Sequence, residues 1–180
     1  MSTVAVQLAQ ERHLPQILQL SKINNKNNLT PEEQSEGFTT AEYSLDFMKQ
    51  LHAETPAIVA LDNDKVVGYV IAVPKHLAAH HPLLEDMVNQ IDQNQYKDFK
   101  NMDYIVVGQL CVAKDYRGMG LVPKMYSQLK TEYQRYDCAV TDIDQRNIRS
   151  KKAHLKSGWK TFGEITFSGI QFELIIQEFH

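Results

Sequence analysis

The chain has 180 residues, 43% of them hydrophobic and 23% charged, with a net charge of −3 at neutral pH. That composition suits a single globular domain over residues 1–180 with a substantial core, and its weak negative charge supplies no field to gather nucleic acid. No apolar run approaches the ~20 residues of a bilayer-spanning helix, so no membrane partner is expected.

Residues 1–6 carry neither a basic nor an apolar leader segment, which points to a cytoplasmic protein. Val4 to Leu8 reads as a first strand. Leu14, Ile17, Leu18 and Leu20 recur at helical spacing to about residue 21, with Pro15 in the first turn. Four asparagines between Asn24 and Thr30 mark a loop. Thr30-Pro31-Glu32-Glu33 combines an N-cap, a first-position proline and a capping-box glutamate, opening a short helix that Gly37 ends. Thr39 with Glu42 forms a second capping box, predicting a helix with Tyr43, Phe47 and Leu51 on one side.

Ala57 to Leu61 and Val66 to Val73 are β-rich runs joined by the polar turn at residues 62–65. The second run is apolar on both faces, so it belongs at the centre of a sheet. Residues 74–102 form a long connection with a helix from about Leu83 to Ile91. His76, His80, His81 and Glu85 lie here without a nearby cysteine or further histidine, and Pro82 interrupts them. A solvated loop or substrate-site wall is expected there, and no metal.

Tyr104 to Val112 is the third strong strand, with Gly108 marking a bulge or a close backbone approach. Val122, Met125, Tyr126, Leu129, Tyr133 and Tyr136 form a core-facing helical stripe, with Pro123 in its first turn. Cys138 to Ile143 is the next strand. A strand–helix–strand unit of this kind implies parallel pairing through a right-handed crossover. Cys111 and Cys138 then lie near opposite strand ends, as buried thiols rather than a disulfide. Asn147 to Ser157 is helical, stopped by Gly158, and a hairpin of residues 161–167 and 171–176 turns at Ser168-Gly169. The expected fold is α/β, a mixed sheet with helices on both faces.

Between the third strand and its helix stands Arg117-Gly118-Met119-Gly120-Leu121-Val122. A strand feeding a glycine turn at a helix N-terminus presents free N–H groups with the helix dipole behind them, a site for a phosphate or pyrophosphate. The donors would be the amides of Gly118, Met119, Gly120, Leu121 and Val122, with Arg117 adding charge. The plainer alternative is a tight turn that needs glycine for positive φ. No Gly-x4-Gly-Lys-Ser/Thr occurs, so a nucleotide phosphotransferase is excluded.

The order of elements and this motif resemble the GCN5-related N-acetyltransferase (GNAT) family, whose acetyl-CoA signature is Gln/Arg-x-x-Gly-x-Gly/Ala. Val122 departs from it at the last position. A second family signature is matched by Asn147, Ser150, His154 and Gly158-Trp159. The resemblance implies a mostly antiparallel sheet with a splayed central parallel strand pair, and acetyl-CoA as cosubstrate. It implies that Leu110 and Val112 bond the pantetheine arm through main-chain atoms, and that a Leu110 or Cys111 amide steadies the thioester oxygen. Asn147 and Ser150 would face the cofactor, although Asn147 is equally a helix N-cap.

His154 replaces the tyrosine acid frequent in the family. It is either the proton donor to the departing thiol, a histidine packed under the sheet, or one that only hydrogen-bonds the cofactor. Some members place a basic glutamate where Val106 stands here. Asp142 and Asp144 are then the candidates for the base, Asp144 being more plausibly a cap, with Tyr104 and Gln109 weaker. A Cys111–His154 acyl-enzyme route is disfavoured, because a cysteine inside an apolar strand is usually inert.

The implied activity is N-acetyl transfer to a primary amine, of a small molecule or a peptide, by direct attack. The alternative is a non-catalytic acyl-CoA-binding sensor or scaffold. Residues of about 24–40 and 74–102 should wall the acceptor site, and Glu32, Glu33 and Glu36 hint at a cationic acceptor. Homodimers are common among proteins the chain resembles.

Overall fold

A computed structural model describes residues 3–180; Met1 and Ser2 lie outside the described residues. Among the described residues, seven strands pair in the order β1-β2-β3-β4-β5-β7-β6. They are β1 Ala5–Leu8, β2 Ile58–Asp62, β3 Lys65–Pro74, β4 Tyr104–Val112, β5 Cys138–Asp144, β6 Lys160–Phe167 and β7 Ile170–Glu178. All neighbours are antiparallel except β4 and β5, which are parallel. β3 is buried along its whole length after Lys65, as a run apolar on both faces requires.

The helices are α1 Leu14–Ile23, α2 Pro31–Gln34, α3 Leu45–Glu54, α4 Pro82–Asp92, α5 Leu121–Glu132 and α6 Ile148–Lys156. One face of the sheet buries α1, α3 and α4 through Leu14, Ile17, Phe47, Leu51, Leu84 and Ile91. The other buries α5 through Leu121, Met125, Tyr126 and Leu129. The apolar stripe read from Val122 onward continues past the end of α5, with Tyr133 and Tyr136 also buried.

One helix start differs from expectation. The box at Thr39 does not open a helix; α3 begins six residues later, capped by Ser44, whose Oγ accepts from the Phe47 amide (3.1 Å). Thr39 is buried in a bridge with Asn25, and its hydroxyl donates to the Ser21 carbonyl (3.1 Å). A tertiary contact thus outcompetes the local capping signal. The box at Thr30 does form: the Thr30 hydroxyl accepts from the Glu33 amide, and the Glu33 carboxylate from the Thr30 amide.

Gly108 is the bulge. The β3–β4 register passes from Ile71↔Gln109 to Ala72↔Val107, leaving Gly108 unpaired. The extra residue inverts the alternation of β4. Before it, Tyr104 and Val106 face α1, α3 and α4; after it, Leu110 and Val112 face α5 while Cys111 takes the opposite side. A Cβ on Gly108 would sit 2.8 Å from Val73 Cγ2 and 3.0 Å from the Tyr43 hydroxyl. Gly108→Ala is therefore expected to destabilise the fold by about 1–3 kcal/mol, read as a lower urea midpoint at unchanged m-value.

Candidate functional site

The parallel pair β4–β5 is bonded only from Tyr104↔Cys138 to Val106↔Val140. Beyond that the strands part. Two side chains occupy the apex of the fork: the Thr141 hydroxyl donates to the Val107 carbonyl (2.7 Å), and the Tyr43 hydroxyl to the Gly108 carbonyl (2.8 Å). Past the apex, Leu110, Cys111 and Val112 line a groove of about 310 Å³ together with Arg117, Gly118, Gly120, Leu121 and Val122 and the near face of α6. Met119 projects outward and is 57% exposed.

The turn at the end of this groove is open. Gly118 (φ +79°) and Gly120 (φ +71°) hold left-handed backbone, and nothing lies within 4 Å of a Cβ built on either. Gly120 stands at the N-cap of α5 without a side-chain cap. Among the described residues, no acceptor bonds the amides of residues 118–122. These free donors at the positive end of a helix suit a diphosphate.

Arg117 plays a second part that its motif does not announce. Its guanidinium donates to the Val112 carbonyl (3.1 Å), the Glu36 carbonyl (2.9 Å) and Asn24 Oδ1 (2.8 Å). Glu36 also pairs through its carboxylate with Arg149, and the Phe38 carbonyl accepts from Asn147 Nδ2 (2.9 Å). Residues 36–38 are thereby strapped across the groove. Glu36 lines this groove, while Glu32 and Glu33 line a neighbouring cavity that Arg117 also borders.

α6 carries Asn147, Ser150 and His154. Asn147 is the N-cap, its Oδ1 accepting from the Ser150 amide (3.3 Å). His154 is 3% exposed, between Tyr126 and Trp159. Its Nδ1–H donates to the Ser150 carbonyl (2.8 Å), so Nε2 accepts from the Tyr126 hydroxyl (2.5 Å). Burial pulls its pKa down to about 4, against the opposing pull of the Ser150 carbonyl. The ring is neutral near pH 7, with both nitrogens engaged. Arg149, Ala153 and Lys156, at offsets of four and seven, also line the groove. Sequence reading passed over them, although this helical spacing was visible.

A second, smaller cavity of about 70 Å³ lies on the other side of the fork. Phe38, Thr39, Leu110, Asn147 and Ser150 line both cavities, so the two meet there. Asp142 lines the smaller one. Its Oδ2 is sealed from water and has no hydrogen-bond partner. Desolvation raises its pKa to about 7, with Asp144 adding repulsion and its own backbone amide opposing.

The other candidates are engaged elsewhere. Burial alone would raise Asp144, but Arg146 grips it (2.9 and 2.6 Å) and its pKa is lowered. Gln109 accepts from Ser21 and Tyr69 and donates to the Ala41 carbonyl. Tyr104 donates to Asp92. Burial pushes the Cys111 thiol up to about 12, so no thiolate is present near neutrality and an acyl-enzyme route lacks its nucleophile. His76, His80 and His81 contact Glu54, Gln50 and the Glu42 carbonyl separately, and no group of three metal-ligating side chains converges among the described residues. No helix there is long and apolar enough to cross a membrane.

A family model for the acetyltransferase (GNAT) family matches residues 18–159. No curated protein matches the chain in sequence. Among solved structures, the chain resembles yncA, a putative acetyltransferase of Salmonella typhimurium solved with acetyl-CoA (TM-score 0.64, 15% identity, 99% of this chain and 95% of that one). It resembles Arabidopsis thaliana NAA60 in complex with acetyl-CoA (0.67, 12%, 98% and 99%). It also resembles a GNAT-family acetyltransferase of Streptococcus agalactiae (0.68, 14%, 97% and 95%). Identities this low speak for the fold.

A carboxyl group whose pKa is raised to about 7 holds its proton in the folded chain while the unfolded chain, near 3.9, has lost it. Its stabilising contribution is therefore complete below about pH 4 and lost as pH rises through 7. Asp142→Asn is expected to be more stable than the parent at pH 8, by about 1 kcal/mol or more, and equal to it near pH 4, by urea unfolding at both.

Proposed function

The chain belongs to the GNAT acetyltransferase family, and on that footing we propose that it transfers the acetyl group of acetyl-CoA directly to a primary amine. The observation that carries the proposal is the meeting of two cavities at one fork, with free backbone donors at the far end of one and, on the wall of the other, Asp142 with one oxygen unbonded. Two of the structures it resembles were solved with acetyl-CoA.

The residues present fit that cosubstrate. The amides of residues 118–122 would hold its diphosphate, in space that no side chain fills. Arg117, Arg149 and Lys156 supply positive charge along the groove. The edge of β4 from Leu110 to Val112, unpaired with β5, offers main-chain groups to the pantetheine arm. The bound cosubstrate supplies an activated acetyl thioester at the junction of the cavities.

Asp142 takes a proton from the docked ammonium group, and its pKa near 7 suits that exchange at neutral pH. The freed amine nitrogen attacks the thioester carbonyl. A C–N bond forms and the C–S bond breaks, the electron pair leaving with sulfur. The nitrogen's second proton is released as the thiolate is protonated. A thiol of pKa about 8.5 leaves readily, so a strong protein acid is not required. Ser150, at the junction, donates its hydroxyl to the departing sulfur. His154 is a positioning residue: it holds Tyr126 and the first turns of α6 rather than moving a proton. In this reading Asp142 supplies the carboxylate that Val106 lacks.

Thiol release from acetyl-CoA with a panel of amines tests this reading. kcat should rise with pH as a single deprotonation near 7 and then level, and Asp142→Asn should lose that step along with about a hundredfold or more in kcat; a flat wild-type profile would remove Asp142 as the base. His154→Leu should keep kcat within about tenfold but lower stability by about 1–3 kcal/mol, because the Tyr126 hydroxyl loses its acceptor. A loss of kcat without loss of stability would restore His154 as the acid.

A further inference from the structure

We propose that the acceptor is an amine with no carboxylate beside its nitrogen, selected by Asp142 in a cavity that no lysine or arginine lines; the proposal rests on the acetyl-transfer reading above. The cavity of about 70 Å³ is lined by the polar side chains of Thr39, Gln109, Thr141 and Asn147 as well as by Leu83 and Phe172.

Charge is the argument. Asp142 lines the cavity, and its Oδ2 is enclosed and bonded to nothing. Asp144, the other carboxylate on the wall, is neutralised by its two bonds to Arg146. No lysine or arginine lines the cavity, and its one histidine, His154, is neutral with both nitrogens engaged. A substrate ammonium thus meets a partner. A substrate carboxylate on the adjacent carbon would meet Asp142 with no cation to balance it, in a site where poor solvation strengthens the repulsion. Free α-amino acids are rejected for that reason. Peptide N-termini and lysine side chains, whose nearest neighbour is an amide or a methylene, are not excluded by charge.

Three probes isolate the charge: n-pentylamine, norleucine (the same molecule with a carboxylate beside nitrogen) and norleucinamide (the same shape, uncharged there). With acetyl-CoA and the intact protein, kcat/KM by thiol release should be at least tenfold higher for pentylamine than for norleucine, with norleucinamide between them. In Asp142→Asn all rates should fall, yet the pentylamine-to-norleucine ratio should collapse toward one. Norleucine used as well as pentylamine, or a ratio unchanged in Asp142→Asn, overturns this inference and leaves acetyl transfer standing. No thiol from any amine of a broad panel, with acetyl-CoA still binding by calorimetry, overturns both.

Discussion

The site depends on the separation of two parallel strands. β4 and β5 are bonded from Tyr104 to Val106 and then diverge, exposing backbone groups in the middle of a sheet where they would otherwise be paired. Such a defect persists only if the surroundings accommodate it. Thr141 satisfies one stranded carbonyl and Tyr43 another. The Gly108 bulge turns the following residues over, so that Leu110 and Val112 face the helix that carries the glycine turn. Together they leave the edge of β4 from Leu110 to Val112 unpaired with β5.

The second defect is electrostatic. Buried polar atoms without partners are uncommon and call for an explanation. Several occur here, on histidines, Trp159 and Gln177, but among the described residues Asp142 is the one carboxylate in that condition. Its neighbour two residues on, Asp144, shows what a purely structural carboxylate looks like: gripped by arginine and ionised. The same strand therefore holds one acid gripped by arginine and one with an unbonded oxygen, their pKa values driven apart by environment.

Much of this was legible in the amino-acid order. The strands, the bulge at Gly108, the parallel crossover and the glycine turn all follow from short-range patterns of apolar spacing and backbone geometry. The start of α3 did not, because Thr39 has a tertiary partner that its neighbours in sequence do not reveal. The state of His154 was hidden for the same reason: its position on α6 is readable, but its proton affinity is set by Tyr126 and Trp159, which arrive from other elements. Arg117 looked like a phosphate ligand and proved also to be a tie between the turn and residues 24–36. Asp142 was singled out only as one of two carboxylates near a strand end; what distinguishes it is an absence of partners, which no local pattern encodes.

Trp159 carries an experimental consequence. It is the chain's single tryptophan, 3% exposed, with its ring 4.9 Å from Tyr126 and edge-on to His154. All of the protein's indole fluorescence thus arises at the seam between α5 and α6, directly behind the wall of the groove. The molecule contains its own label-free optical probe, sensitive to shifts of that seam and dimmed by a protonated imidazole beside it.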